Sequence, residues 1–92
     1  MIVSFADKKT EKFAQGEFVK EFASFERVAR RKLVQLEVAG DLNDLRIPPG
    51  NRLEKLSGNR EGQCSIRINE QYRVCFEWSS AGACKVEITD YH

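Results

Sequence analysis

Long apolar runs are missing from these 92 residues, and with a mean hydropathy of −0.49 the sequence offers no segment for crossing a bilayer. Cysteine is scarce. Three are present, without a Cys-x-x-Cys pair or a basic-then-apolar leader before them, which speaks against a secreted disulfide scaffold and for a reducing cytoplasm. Cys64, Cys75, Cys84 and His92 nominally complete a Cys3His zinc set, but ligands so widely scattered lack the paired knuckle of structural sites. No metal and no cofactor is expected, and Cys64 reads as core filling. Excess charge of one sign is also lacking: 15 basic residues stand against 14 acidic, a net charge of +1. Residues 1–45 hold eight Lys/Arg and eight Asp/Glu, and residues 46–92 hold seven and six, so neither half is a basic module. Such a balance argues against capture of free nucleic acid by bulk electrostatics. Any contact with RNA has to come from local arrangement.

What is present suits one α+β domain over residues 1–92, with 41% hydrophobic residues and six Phe, two Tyr and one Trp to build a modest core. Residues 1–5 are short and β-branched and read as a first strand, ended by Asp7 as a helix N-cap. Phe13 lies on the brief helix that follows, stopped by Gly16. Residues 17–23 read as a loop with a helical turn, since Phe18 and Phe22 suit a helix while Gly16 and Ser24 bracket the run. From Ser24 as N-cap, Phe25, Val28, Ala29, Leu33 and Leu36 recur at three- and four-residue steps and predict an amphipathic helix to Ala39, stopped by Gly40. Its cluster Arg27, Arg30, Arg31 and Lys32 reads as a solvated face, with contact to ribosomal RNA or an acidic partner as the alternative.

Residues 41–46 suggest a short helical turn, and Ile47-Pro48-Pro49-Gly50 then forbids regular structure. Residues 52–56 alternate enough for a strand. The loop at 57–62 has two glycines but neither the lysine spacing nor the following helix of a phosphate-cradling loop. In residues 63–69, Cys64, Ile66 and Ile68 share one face, and Ser65 and Arg67 the other. After the turn at 69–71, Tyr72, Val74, Phe76 and Trp78 alternate with Arg73, Cys75 and Glu77. The hairpin therefore has an apolar face and one carrying guanidinium groups, for which a cross-strand ion pair between Arg67 and Glu77 is the plain explanation. Residues 85–88 form the last strand. Alternation from Ile88 aims Asp90 and His92 to one side and Tyr91 to the other.

These pieces resemble a known family, the HigB branch of the RelE/ParE superfamily of toxins from type II toxin-antitoxin pairs. The resemblance spans essentially the whole chain and rests on Leu53-x-x-Leu56-x-Gly58-x-Arg60-x-Gly62, Ser65-Ile66-Arg67-Ile68-Asn69, Tyr72-Arg73 and the terminal Asp90-Tyr91-His92. It implies a RelE-like fold, a twisted, mainly antiparallel sheet with two N-terminal helices on one face. It further implies ribosome-dependent cleavage of messenger RNA in the A site by metal-independent attack of the 2'-hydroxyl on the adjacent phosphate. The ribosome would position the substrate, so a weakly charged toxin suffices.

The resemblance assigns Arg73 to the transition state, His92 and Asp90 to the proton transfers, and Tyr91 to orienting or stacking on a base. Arg52, Lys55, Arg60 and Arg67 are candidate RNA contacts, Arg67 for its strand face alone. Where many members carry His and Lys around the Leu-x-x-Leu-x-Gly loop, this chain has Glu54 and Ser57, with Lys55 displaced to the neighbouring position and the opposite strand face. Either Glu54 accepts the proton, or cleavage is slow and ribosome occupancy is the main effect. The implied partner is a helix-turn-helix antitoxin, which also supplies the only contact with DNA. Rival readings are a gyrase poison of the ParE branch and a bare interaction module.

Overall fold

The computed structural model describes residues 1–90. Two α-helices, α1 (Lys8–Ala14) and α2 (Glu26–Val38), precede four strands, β1 (Glu54–Lys55), β2 (Cys64–Arg67), β3 (Tyr72–Ser79) and β4 (Gly82–Asp90). Short 3-10 turns occupy Lys20–Phe25, Leu42–Arg46, Pro49–Asn51 and Gly58–Arg60. The strands pair antiparallel in sequence order, as expected of an α+β chain whose hairpins follow one another.

One sheet face carries Ile66, Val74, Phe76, Val86 and Ile88, all buried against Phe13, Phe22, Phe25, Ala29, Leu33 and Leu36 from the helical half. Burying each of the large apolar side chains contributes roughly 1.5–3 kcal/mol, so this layer holds the helices to the sheet. Polar ties fix their position. Asp7 caps α1 by accepting from the Thr10 N–H at 2.8 Å, and the buried Thr10 hydroxyl accepts from the Ile88 N–H of β4 at 3.1 Å. Tyr72 stacks on Phe25 with ring centroids 4.5 Å apart, pinning the start of β3 to the turn before α2.

Several local expectations are corrected. Residues 1–5 form no full strand: only Ile2 and Phe5 bridge to β4, in parallel, at Ala83 and Val86. The cause is an irregularity in β4, where Lys85 adopts φ 52° and turns its N–H to Ser4 Oγ at 2.9 Å. Gly82 makes the close approach feasible, since a Cβ there would sit 2.1 Å from the Met1 carbonyl oxygen. The helical turn expected within 17–23 is present as the 3-10 turn Lys20–Phe25, but it runs on through Ser24, so that Phe25 rather than Ser24 stands at the α2 N-cap, without a side-chain bond. Helix α2 ends at Val38, and Gly40 and Asp41 give their N–H groups to Asp44 Oδ2, the capping box of the next turn. Pro49–Asn51 does form a turn, with proline at its start. The strand at 52–56 shrinks to Glu54–Lys55 because Arg52 is left-handed, φ 46°. The last strand is longer than 85–88, reaching from Gly82 to Asp90.

The basic cluster of α2 is not one solvated face. Arg30 donates to the carbonyls of Phe13 and Glu17 at 2.6 and 3.2 Å and lies 4.0 Å over the Phe13 ring. Lys32 is 5% exposed and donates through Nζ to Asn51 Oδ1, while Asn51 Nδ2 donates to Gln35 Oε1 at 3.0 Å and the Leu45 carbonyl at 3.1 Å. Burial pushes the Lys32 pKa down, with the neighbouring Arg31 adding to the effect. Asn51→Ala should cost about 3 kcal/mol, because a buried ammonium loses its acceptor, and Lys32→Met in the same chain should restore more than half. Urea unfolding measures both; an Asn51→Ala midpoint equal to wild type would show that the network bears no load.

Candidate active site

The sheet face opposite the helices should be open to water if the alternation of residues were the whole account. It is not, since Ser65 and Cys75 are both fully buried there. The segment between Arg52 and Gln63 folds over this face. Arg60 Nη1 lies 3.1 Å from Glu87 Oε1 of β4 and 3.1 Å from Gln63 Oε1, so the turn Gly58–Arg60 is pinned above Cys75. Burial pushes the Cys75 thiol pKa up, as it does for Cys64 in the helix-side core. Both are inert filler in this environment.

Arg73 is the centre of the layer. Its side chain is only 13% exposed. Nε donates to Ser65 Oγ at 2.7 Å and Nη2 to the Arg52 carbonyl at 2.8 Å, so the guanidinium plane is set by one neighbour on β2 and one on the covering segment. Glu54 Oε1 stands 3.9 Å from the same Nη2 and is 55% exposed, close enough for a loose ion pair and open enough to meet a substrate. The Nη1 donors have no acceptor among the described residues.

Register decides which nominated residues share this face. Glu54 pairs with Ser65, Ser65 with Cys75, and Cys75 with Glu87, while Arg73 sits directly between Arg67 and Thr89. The expected Arg67–Glu77 pair is therefore corrected: Glu77 stands opposite Cys84 and pairs with Lys85 at 3.4 Å, and Arg67 faces Arg73. Like charges at directly opposed positions disfavour a sheet pair, so the pairing of Arg67 with Arg73 gains nothing from their charges.

Arg52, Glu54, Arg60, Arg67 and Arg73 thus gather on or over one face. Lys55 does not, because it pairs with Cys64 and belongs to the other side of β1. Asp90 pairs with Tyr72, which puts it on the helix-side face at the end of β4, and its Oδ2 accepts from Gln71 Nε2 at 2.9 Å. Tyr91 and His92 lie outside the described residues. Among the described residues, no three His, Cys, Asp or Glu side chains are grouped so as to hold a metal ion.

Residues 3–92 match the family described as RelE-like toxin of type II toxin-antitoxin system HigB. The chain belongs to that family. Toxin HigB-1 of Vibrio cholerae is 46% identical over 80 residues, which cover 85% of this chain and 84% of the relative. An uncharacterized protein of Haemophilus influenzae is 39% identical over 54 residues, 59% of this chain and 54% of that protein. The YoeB-YefM complex from Staphylococcus aureus contains a chain of the same fold, with a TM-score of 0.63 at 23% identity, covering 100% of this chain and 95% of that one.

In this HigB-family toxin several positioning groups escape a reading by residue type. Ser65 was visible as the face-mate of Arg67, but its bond to Arg73 needs the register of β2 and β3. The Arg52 carbonyl carries no side-chain signal at all. Glu87 lies 27 residues from its partner Arg60. A double-mutant cycle on Arg60→Met and Glu87→Met should give a coupling of about 1 kcal/mol, the upper range for a partly exposed pair. Strictly additive urea midpoints would contradict the pinning of the covering turn.

Proposed function

We propose that this toxin is an endoribonuclease that acts on messenger RNA in the ribosomal A site, with Arg73 as its principal electrostatic group. The observation that carries the reading is the direct opposition of Arg67 and Arg73 on one face, beside the partly open carboxylate of Glu54. An anion lying between two guanidinium groups converts their mutual repulsion into attraction, and a phosphodiester has the right charge and oxygen geometry. Family membership gives this proposal its reaction class.

In the proposed step the 2'-oxygen attacks the adjacent phosphorus, forming the new P–O2' bond as the P–O5' bond breaks. The products are a 2',3'-cyclic phosphate and a free 5'-hydroxyl. Glu54 takes the 2'-hydroxyl proton, standing where many relatives have histidine, and His92 returns a proton to the leaving 5'-oxygen. Arg73 and Arg67 hold the extra negative charge of the pentacoordinate phosphorus, with Arg52 and Arg60 against the flanking backbone. Tyr91 is assigned to stacking on a base, and Asp90, on the helix-side face, bonds Gln71 and does not touch the phosphate. Lys55 reaches RNA or ribosome from the other side of β1. Pre-organisation is the purpose of the Ser65 and Arg52 bonds, since a guanidinium already fixed does not reorganise as charge develops. Alignment with the message is left to the ribosome, in keeping with a net charge of only +1. The partner that restrains the toxin is its antitoxin, a helix-turn-helix repressor in this reading, through which alone it would meet DNA.

Arg73→Lys keeps the charge but cannot donate to Ser65 and Arg52 while facing a phosphate in a plane. It should lower cleavage by on the order of 10²- to 10³-fold, with Arg73→Ala and His92→Ala abolishing growth inhibition and Glu54→Gln reducing it. Primer extension on messages after induction reads the breaks, and circular dichroism melting separates lost activity from lost fold. Full toxicity of a folded Arg73→Ala together with His92→Ala would overturn the site. Intact messages with trapped gyrase–DNA complexes would replace it with the gyrase reading.

A further inference from the structure

Lys32 is a charge that the helical layer holds without a counter-ion. Its side chain is buried, its ammonium donates to Asn51 Oδ1, and among the described residues no carboxylate pairs with it. The charge that acts on it is that of the neighbouring Arg31, which repels it. A buried ammonium in that situation is less favourable than an apolar side chain of similar length, so stability alone would be served by methionine here. What the ammonium does hold in place is Asn51.

Asn51 is fixed from every side. Its Nδ2 donates to Gln35 Oε1 and the Leu45 carbonyl, and its main-chain N–H donates to the Pro48 carbonyl at 2.9 Å. One peptide further on, the Arg52 N–H donates to the Pro49 carbonyl at 3.1 Å, and φ 46° and ψ 56° put Arg52 in a left-handed conformation that a residue with a Cβ adopts only under constraint. With both torsions set, the Arg52 carbonyl has one direction, and Arg73 Nη2 donates to it at 2.8 Å. The second anchor of Arg73, Ser65 Oγ, holds Nε alone. Two anchors fix a plane, whereas one leaves an arc of orientations.

We propose that Lys32 and Asn51 are positioning residues for message cleavage. From the helical layer they hold Arg52 in its left-handed turn and so aim the Arg73 guanidinium at the scissile phosphate, touching no substrate themselves. The inference rests on the nuclease reading and adds a control on its rate exerted from across the sheet. Both side chains are buried, so their loss is felt in the chemical step and not in encounter with the ribosome.

Single-turnover cleavage of a ribosome-bound message by the full toxin tests this. Lys32→Met with Asn51→Ala removes the tether and the unpaired ammonium together, so this pair should melt above Asn51→Ala alone. Its saturating rate should nevertheless stay on the order of 10- to 100-fold below wild type, with the half-saturating toxin concentration unchanged. Introduced into Arg73→Lys, the same pair should add less than roughly a further threefold, because the contact it serves is already lost. Heteronuclear NMR supplies a readout independent of cleavage: the Arg73 Nη protons should be resolved in wild type, where the Arg52 bond slows rotation about Cζ–Nη, and should merge in the pair. If the pair does not fold, Lys32→Met alone, which keeps the Gln35 and Leu45 bonds, reads the same quantities with a smaller expected loss. A folded pair that cuts at the wild-type rate, or whose Arg73 Nη protons stay resolved, would overturn the positioning role and leave the nuclease reading intact. A loss that multiplies in full with that of Arg73→Lys would do the same. Absence of cleavage by the wild type would overturn the nuclease reading and the positioning role with it.

Discussion

Asn51 is the residue on which the relation between the helices and the guanidinium face depends. Fully buried, it accepts from the Lys32 ammonium and donates to Gln35 and the Leu45 carbonyl, so one amide binds α2 to the chain that leads into β1. The next residue, Arg52, is turned into the left-handed region and offers its carbonyl to Arg73. A buried polar group left unpaired costs about 1–3 kcal/mol, and more when the partner is charged, which makes the network restrictive. The covering segment cannot slide without breaking it. Through that chain of contacts a packing decision in the helical layer sets the plane of a guanidinium on the far side of the sheet.

The two faces of the sheet consequently follow different rules. The helix-side face is an apolar core, in which Ile66, Val74, Phe76, Val86 and Ile88 gain their place by burial. The other face is a polar layer half closed by the segment before β2, where Ser65 and Cys75 lie under Arg60, Glu87 and Arg73. Partial closure matters electrostatically. Charges held away from bulk water act on one another more strongly than the same charges on an open surface, so a near-neutral chain can still present an intense local field. In the proposed reaction the toxin needs no basic exterior, because Arg52, Arg60, Arg67 and Arg73 gather on or over the one face to which the phosphate is assigned.

Much of this was legible in the residues, and the remainder was not for identifiable reasons. Period-2 alternation at Cys64, Ile66, Val74 and Phe76 located the hairpin and its core face, and the three- and four-step recurrence of Ala29, Leu33 and Leu36 located α2. Motifs shared with the HigB branch led to the family. Alternation gave Lys55 the other strand face and Asp90 the face of Ile88, whereas the resemblance had joined Asp90 to Arg73, from which that face separates it. Burial of the second face was not legible, because Ser65 and Cys75 are polar or small and their cover comes from a segment whose path depends on Asn51. Register was missed by reading Arg67 toward Glu77, since the short turn at 69–71 brings Arg67 opposite Arg73 and leaves Glu77 past the other end of β2, beyond the pair Cys64–Phe76. Ser24 looked like an N-cap by type, but Phe22 and Phe25 of the same turn are drawn into the core, and their packing fixed the chain in a 3-10 path instead.

The proposed chemistry makes the 2'-hydroxyl at the cut its own nucleophile, with Arg73 poised for the phosphate that it attacks. Replacing that one ribose by 2'-deoxyribose in a ribosome-bound message, and identifying the fragment ends by mass spectrometry, tests this most directly. The account predicts that the unmodified message yields a 2',3'-cyclic phosphate and a 5'-hydroxyl, and that the deoxy-substituted one stays whole. Cleavage of the deoxy-substituted message at the same position, or 5'-phosphate ends on the natural one, would contradict it.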